Sequence, residues 1–204
     1  KNQEWWEVPY LPIDPSDIGR EYEPIIRINS QSGKGGVAFV MDSEFGYKLP
    51  KRMHKEFADV IQKIAEEQGE VAPATIMEVF EKEYLRKKTP YEFIRAKAED
   101  VAENETEVEV VFMAGEELKS AKAVGNGPLA ALKKLMADET GMDFTLVDYS
   151  QHALSKGSEA KAAAYICLHD NRTGKETYGV GVSANITRAG FRAFFSAVDR
   201  LIEN

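Results

Sequence analysis

The sequence predicts an α+β protein in which two successive βββα units follow a small, mainly helical subdomain. Three observations carry that expectation. Apolar residues recur at helical spacing before about residue 88 and close to every second residue after it. Three strand-like segments and one helix then occur twice in the same order. Finally, Pro and Gly stand at the joints between these segments.

Residues 1–32 hold Pro9, Pro12, Pro15 and Pro24, which repeatedly interrupt any helix. Trp5, Trp6, Tyr10, Leu11 and Ile13 make the segment too apolar for a solvated tail, so it is expected to pack on something and to be cut from a longer polypeptide. Val37 to Met41 has the length of a short strand, and Ser43 to Gly46 reads as a turn, together suggesting a hairpin. Pro50 suits the first position of a helix, and Met53, Phe57, Val60, Ile61 and Ile64 follow at helical spacing up to a stop at Gly69. Pro73 opens a second helix with Ile76, Val79, Phe80 and Leu85 on one face. Residues 33–88 thus form the helical subdomain, and Lys87 to Pro90 a linker.

Residues 89–204 form the second domain. Tyr91 to Lys97, Glu107 to Met113 and Leu118 to Val124 read as strands, and Pro128 begins a helix carrying Leu129, Leu132, Leu135 and Met136. Asp143 to Tyr149, Lys161 to Leu168 and Thr177 to Ala184 repeat the strands, and a last helix carries Phe191, Phe194, Phe195, Val198, Leu201 and Ile202. Two such units are expected to place strands on one side and helices on the other.

Composition narrows the function classes. With 26 Lys+Arg against 34 Asp+Glu, a net charge of −8, and more acid than base in each half, the chain lacks the basic footprint that nucleic acid or an anionic membrane surface requires. No apolar run approaches the roughly 18 residues of a membrane span. The single cysteine, Cys167, excludes an internal disulfide and fits a cytoplasmic location. His54, His152 and His169 are too scattered for a local metal cluster, so no metal or cofactor is expected on these residues.

Several segments invite functional readings. Ser32 to Gly36 (SGKGG) fails as a phosphate loop, because Ile28 stands where the first glycine belongs and Gly35 follows the lysine; a hinge is the better reading. Val124 to Pro128 (VGNGP) joins strand to helix, where unpaired N–H groups can hold a carboxylate, or the segment is an ordinary tight turn. Tyr149 to Tyr165 is rich in small residues; period two puts Ala162, Ala164, Ile166 and Leu168 on one face, leaving room for a close-packed helix or a small apolar ligand. The acidic run from Glu99 to Glu109 reads as a solvated hairpin arm, His152 as a loop or surface residue, and Cys167 as a buried inert thiol. No motif of nucleophilic or acid–base catalysis is present.

At VPYLPIDPSDIGR (Val8 to Arg20) and INSQSGKGGVAFVM (Ile28 to Met41) the chain resembles 2-isopropylmalate synthase of the long form, and the similarity continues through VIQKIAE, EYL, GNGPLAAL, the Asp148 to Ala153 stretch and EAKAAAY. The resemblance covers essentially the whole sequence. It implies the end of a first linker subdomain, a second linker subdomain, and a regulatory domain that dimerises and binds leucine. The family's catalytic barrel, with its divalent metal, is expected upstream, so these residues alone are expected not to condense acetyl-CoA with 2-oxoisovalerate. Tyr10 matches a tyrosine that the family extends into the partner subunit's active site. Carried over by position, the leucine contacts implied are Gly125, Asn126, Gly127, Leu129 and Ala130, with Leu146, Tyr149, Ala153, Ala160 and Ala162 completing the pocket. Leu146 departs from the family's valine. A citramalate synthase domain sensing isoleucine, or a dimerisation module without a ligand, are the alternatives to be separated.

Overall fold

The structure, a computed structural model, describes residues 28–29, 33–85, 90–154 and 160–203. Tyr10, nearly all of the proline-rich first segment and most of the linker lie outside the described residues.

The helical subdomain comprises α1 (Lys34–Phe45), α2 (Met53–Gln68), α3 (Pro73–Phe80) and a π-helical turn, Glu81–Leu85. The strand and turn expected at Val37 to Gly46 are helix instead. Val37, Val40 and Met41 lie at i, i+3 and i+4 and are buried together, whereas Phe39 between them is exposed. A five-residue apolar run cannot separate the two periods; burial on one side does. Gly46 ends the helix in the left-handed region (φ 73°), its N–H donating to the Asp42 carbonyl while that of Tyr47 donates to Met41. Gly35 and Gly36, expected in a hinge, form the first turn of α1. Pro50 precedes rather than begins α2, its carbonyl accepting from the Met53 N–H at 2.8 Å. Gly69 and Pro73 terminate and open helices as expected. Phe57, Phe80 and Tyr84 pack edge-on or tilted around one centre with ring centroids 5.2–5.8 Å apart.

The second domain has the expected order: β1 (Tyr91–Ala102), β2 (Glu105–Ala114), β3 (Glu117–Gly125), α4 (Pro128–Thr140), β4 (Phe144–Ala153), β5 (Ala162–Asp170), β6 (Glu176–Ser183) and α5 (Ile186–Glu203). Each unit makes its own three-stranded antiparallel sheet, β1-β2-β3 and β4-β5-β6. The acidic run closes the β1–β2 hairpin, turning at Asn104 with φ 63°. Its carboxylates meet bases from neighbouring positions: Lys97 binds Glu99 at 2.6 Å, and Lys122 reaches Glu107 and Glu109.

The expected arrangement of strands on one side and helices on the other is replaced by two sheets that share one core with both helices between them. Val108, Val110 and Phe112 of β2 and Ala164, Ile166 and Leu168 of β5 converge on the same cluster as α4 and α5. Phe195 meets Phe93 and Phe112 of the first sheet, while Phe194 meets Phe144 of the second. Full burial of one such ring contributes about 1.5–3 kcal/mol. The opposite face of β5, with Ala163, Tyr165 and Cys167, packs against the helical subdomain, so this strand is buried on both faces. Glycine makes the helix–sheet contact possible: a β-carbon on Gly179 or Gly181 would lie 2.2 or 2.1 Å from α5 backbone atoms.

Candidate functional site

The strand-to-helix joint of the first unit forms one wall of a cavity. Gly125 ends β3 so close to α4 that a β-carbon there would meet the Ala131 nitrogen at 2.5 Å. Gly127 follows at φ 129°, a conformation that favours glycine, and Pro128 takes the first helical turn. No side chain caps α4. Pro128 has no N–H and that of Ala131 donates to the Gly127 carbonyl at 3.0 Å, so the first-turn donors without an intrahelical acceptor are those of Leu129 and Ala130.

The second unit ends differently at the corresponding joint. The Asn185 carboxamide oxygen accepts from the Arg188 N–H at 2.9 Å, and the Ser183 hydroxyl oxygen accepts from the Asn185 N–H at 3.2 Å. The start of α5 is therefore capped by its own side chain, and the start of α4 is open. Both helix starts border one cavity of about 280 Å³. Asn126, Gly127, Pro128, Leu129 and Ala130 supply one wall, and Ile186, Thr187, Gly190 and Phe191 the other. Tyr149 of β4 closes it, half-exposed, with its hydroxyl donating to Gln151 Oε1 at 2.8 Å; burial pushes this phenol upward from its ordinary range. The volume lies near the low end of the roughly 300–1,000 Å³ typical of ligand pockets, which suits a molecule of amino-acid size.

Five of the residues singled out in the sequence thus share this cavity: Asn126, Gly127, Leu129, Ala130 and Tyr149. Gly125 stands behind the wall, seating α4. Leu146 is half-buried and packs toward the shared core, opposite Leu168. Ala153 pairs with Ala162 at the far end of the β4–β5 ladder, four rows from Tyr149 and thus about 13 Å along the strand. Ala160 lies two residues before the start of β5. None of these five, Ala162 included, lines the cavity. The α5 wall was missed in the sequence. The duplication was the available signal, since it puts Ile186 and Gly190 at the start of the second unit's helix as Pro128 and Leu129 start the first.

Two other sequence candidates have structural roles. His152 is a strand residue rather than a loop one. Its ring stacks on Tyr165, and its Nε2 accepts the Lys48 backbone N–H at 3.1 Å, tying the helical subdomain to β4. Burial pushes the Cys167 thiol up to about 12, as an inert thiol requires. Among the described residues no three His, Cys, Asp or Glu side chains gather so as to hold a metal ion, and no helix is long and apolar enough to cross a membrane.

Comparison with known proteins gives these residues a context. Residues 70–202 match the family model described as the LeuA allosteric (dimerisation) domain, and residues 1–42 match that of the alpha-isopropylmalate synthase, post-catalytic domain-like. Among similar proteins, the 2-isopropylmalate synthase of Corynebacterium glutamicum is 42% identical over 204 residues, covering 97% of this chain and 32% of that protein. The 2-isopropylmalate synthase of Mycobacterium leprae is 45% identical over 96% of the chain and 32% of its own length, and that of Clostridium acetobutylicum 42% over 96% and 36%. The chain spans about a third of the length of these curated relatives.

Proposed function

The chain belongs to the LeuA allosteric (dimerisation) domain family, and on that premise we propose that it is the linker and regulatory region of a 2-isopropylmalate synthase, binding leucine for feedback inhibition. The observation that supports this reading is the pairing, in one cavity, of an uncapped helix start with an apolar wall. The Leu129 and Ala130 N–H groups and the positive end of α4 suit a carboxylate. Asn126, Thr187 and Tyr149 line the same cavity and carry side-chain oxygens of the kind that suits an ammonium group, and Leu129, Ile186 and Phe191 offer the isobutyl group apolar surface. The capped start of α5 gives the site its polarity: the carboxylate goes to α4.

In the whole enzyme, leucine would favour a less active conformation by binding it more tightly. The regulatory domain pairs with a second copy, and Leu146, Ala153, Ala160 and Ala162, which lie off the cavity of the single chain, are proposed to complete the pocket in that homodimer. Tyr10 is proposed to serve the partner subunit's active site. Condensation of acetyl-CoA with 2-oxoisovalerate, with its divalent metal, belongs to the catalytic part of the enzyme, and this chain is proposed to be inactive by itself.

Calorimetric titration of the folded chain with leucine, isoleucine and valine tests the proposal. Leucine should bind most tightly. Tighter binding of isoleucine would point to an isoleucine sensor, and dimerisation without heat from any of the three would leave a structural module.

A further inference from the structure

Arg200 lies near the end of α5 and only 4% of its surface is exposed. Its guanidinium donates from Nη2 to Glu56 Oε1 of α2 at 2.9 Å, and from Nη1 to the carbonyl oxygen and Oε2 of Glu83 in the π-helical turn at 3.1 and 3.0 Å. It also sits over the Tyr84 ring, 4.1 Å from the centroid. Glu56 is held from three further directions: by the Tyr84 hydroxyl at 3.0 Å, the Tyr178 N–H at 3.0 Å, and the Thr177 hydroxyl at 3.4 Å. One helical turn earlier on α5, the Ser196 hydroxyl donates to the Tyr84 carbonyl at 2.8 Å. These contacts fasten the end of α5 to the helical subdomain through directional bonds, which tolerate little sliding because the buried Arg200 guanidinium would be left unpaired in the interior, while Glu56 and Glu83 stay partly exposed.

The opposite end of α5 is a wall of the effector cavity, through Ile186, Thr187, Gly190 and Phe191. Gly190 and Arg200 are ten residues apart on one helix, about 15 Å. A π-helical turn, an uncommon element often retained where backbone geometry matters, presents Glu83 and Tyr84 to the arginine.

We propose that α5 is the element that carries effector occupancy to the linker subdomain, and that Arg200, Glu56 and Glu83 are the positioning residues that make the transfer. The inference rests on the leucine reading of the cavity. A ligand seated against the first turns of α5 fixes that helix, and the ionic junction passes the constraint to α2 and the π-helical turn. The junction itself touches no ligand.

Hydrogen exchange on the whole chain, with and without saturating leucine, tests this. In the wild-type chain leucine should slow exchange of α2 and Glu81–Leu85 amides by a factor in the usual range of allosteric coupling, about 5- to 150-fold. Glu83→Gln and Arg200→Lys, checked for retained fold by circular dichroism, should bind leucine with little change in affinity yet lose that remote protection while keeping protection around α4. A merely structural junction would leave the leucine-dependent difference intact. Remote protection persisting in both variants, or absent from a wild-type chain that binds leucine, overturns the inference. Absence of any leucine heat overturns the effector reading and this inference with it.

Discussion

Gly190 on α5 faces Tyr149 on β4 so closely that a β-carbon on the glycine would lie 3.5 Å from the Tyr149 hydroxyl oxygen and 3.7 Å from Leu129 Cδ2. Those are ordinary contact distances, so the position accepts alanine without strain, and the methyl would project toward the cavity proposed to hold leucine. Gly190→Ala should therefore raise the melting temperature by about 2–4 °C, from roughly 1 kcal/mol of helix propensity. The same change should weaken leucine binding about 10- to 200-fold, the usual effect of one misplaced methyl group in an apolar pocket. Thermal unfolding and calorimetry on one preparation check both halves.

At the open end of α4, Ala130→Asp should separate fold from binding. A carboxylate in the first turn favours the helix by about 0.3–1 kcal/mol, and Ala130 is exposed, so the change meets no packing. It also occupies or repels at the place proposed for the ligand's own carboxylate. Stability should be unchanged or slightly higher, with leucine affinity lowered at least about tenfold by calorimetry. Retained affinity would move the carboxylate away from this helix start.

Gly181→Ala should do the reverse. Its β-carbon would stand 2.1 Å from the Ala189 carbonyl oxygen, backbone that cannot turn aside, so α5 must shift off β6. A loss of about 1–3 kcal/mol or more in chemical denaturation is expected, as for other overpacked cores. Gly190→Ala in the same assay is the control.

Alkaline behaviour follows from the buried thiol and phenols. Burial pushes Cys167 from 9.0 up to about 12, and pushes Tyr165 and Tyr178 higher still from 10.0, Tyr178 also through the Asp148 carboxylate that its hydroxyl binds at 2.7 Å. Above pH 9 the unfolded chain ionises Cys167 while the folded chain keeps its proton, so the unfolded state gains and stability falls as pH rises toward 12, with the tyrosines adding to the loss above pH 10. A denaturant midpoint that declines steadily above pH 9 is expected. At pH 8 a thiol reagent should label the native chain far more slowly than the unfolded one; fast native labelling would contradict the burial.

The strands and helices of residues 91–203 were legible because period two and period 3.6 are local properties, and because Pro128 and the glycines punctuate them. The α1 helix was not, since a short apolar run such as Val37 to Met41 fits either period and only burial against α2 and α3 decides. The packing of the helical subdomain on the outer face of β5 could have been suspected from that strand, whose Ala163, Tyr165 and Cys167 are as apolar as the alternate set, a pattern of strands covered on both faces. Half of the candidate site was found from Gly125 to Ala130 and Tyr149, where glycine, proline and small residues cluster. The α5 wall was hidden because Ile186 and Gly190 belong to no motif and Phe191 reads simply as one apolar position of the last helix. The Arg200–Glu56 pair joins residues 144 apart, and nothing local marks either one for the other.

The most direct test is a crystal structure of the chain with leucine. The account predicts leucine in the cavity between the starts of α4 and α5, its carboxylate within hydrogen-bond distance, about 2.7–3.2 Å, of the Leu129 and Ala130 nitrogens and its side chain against Phe191. Leucine bound away from the start of α4, or a saturated crystal with that cavity empty, would contradict it.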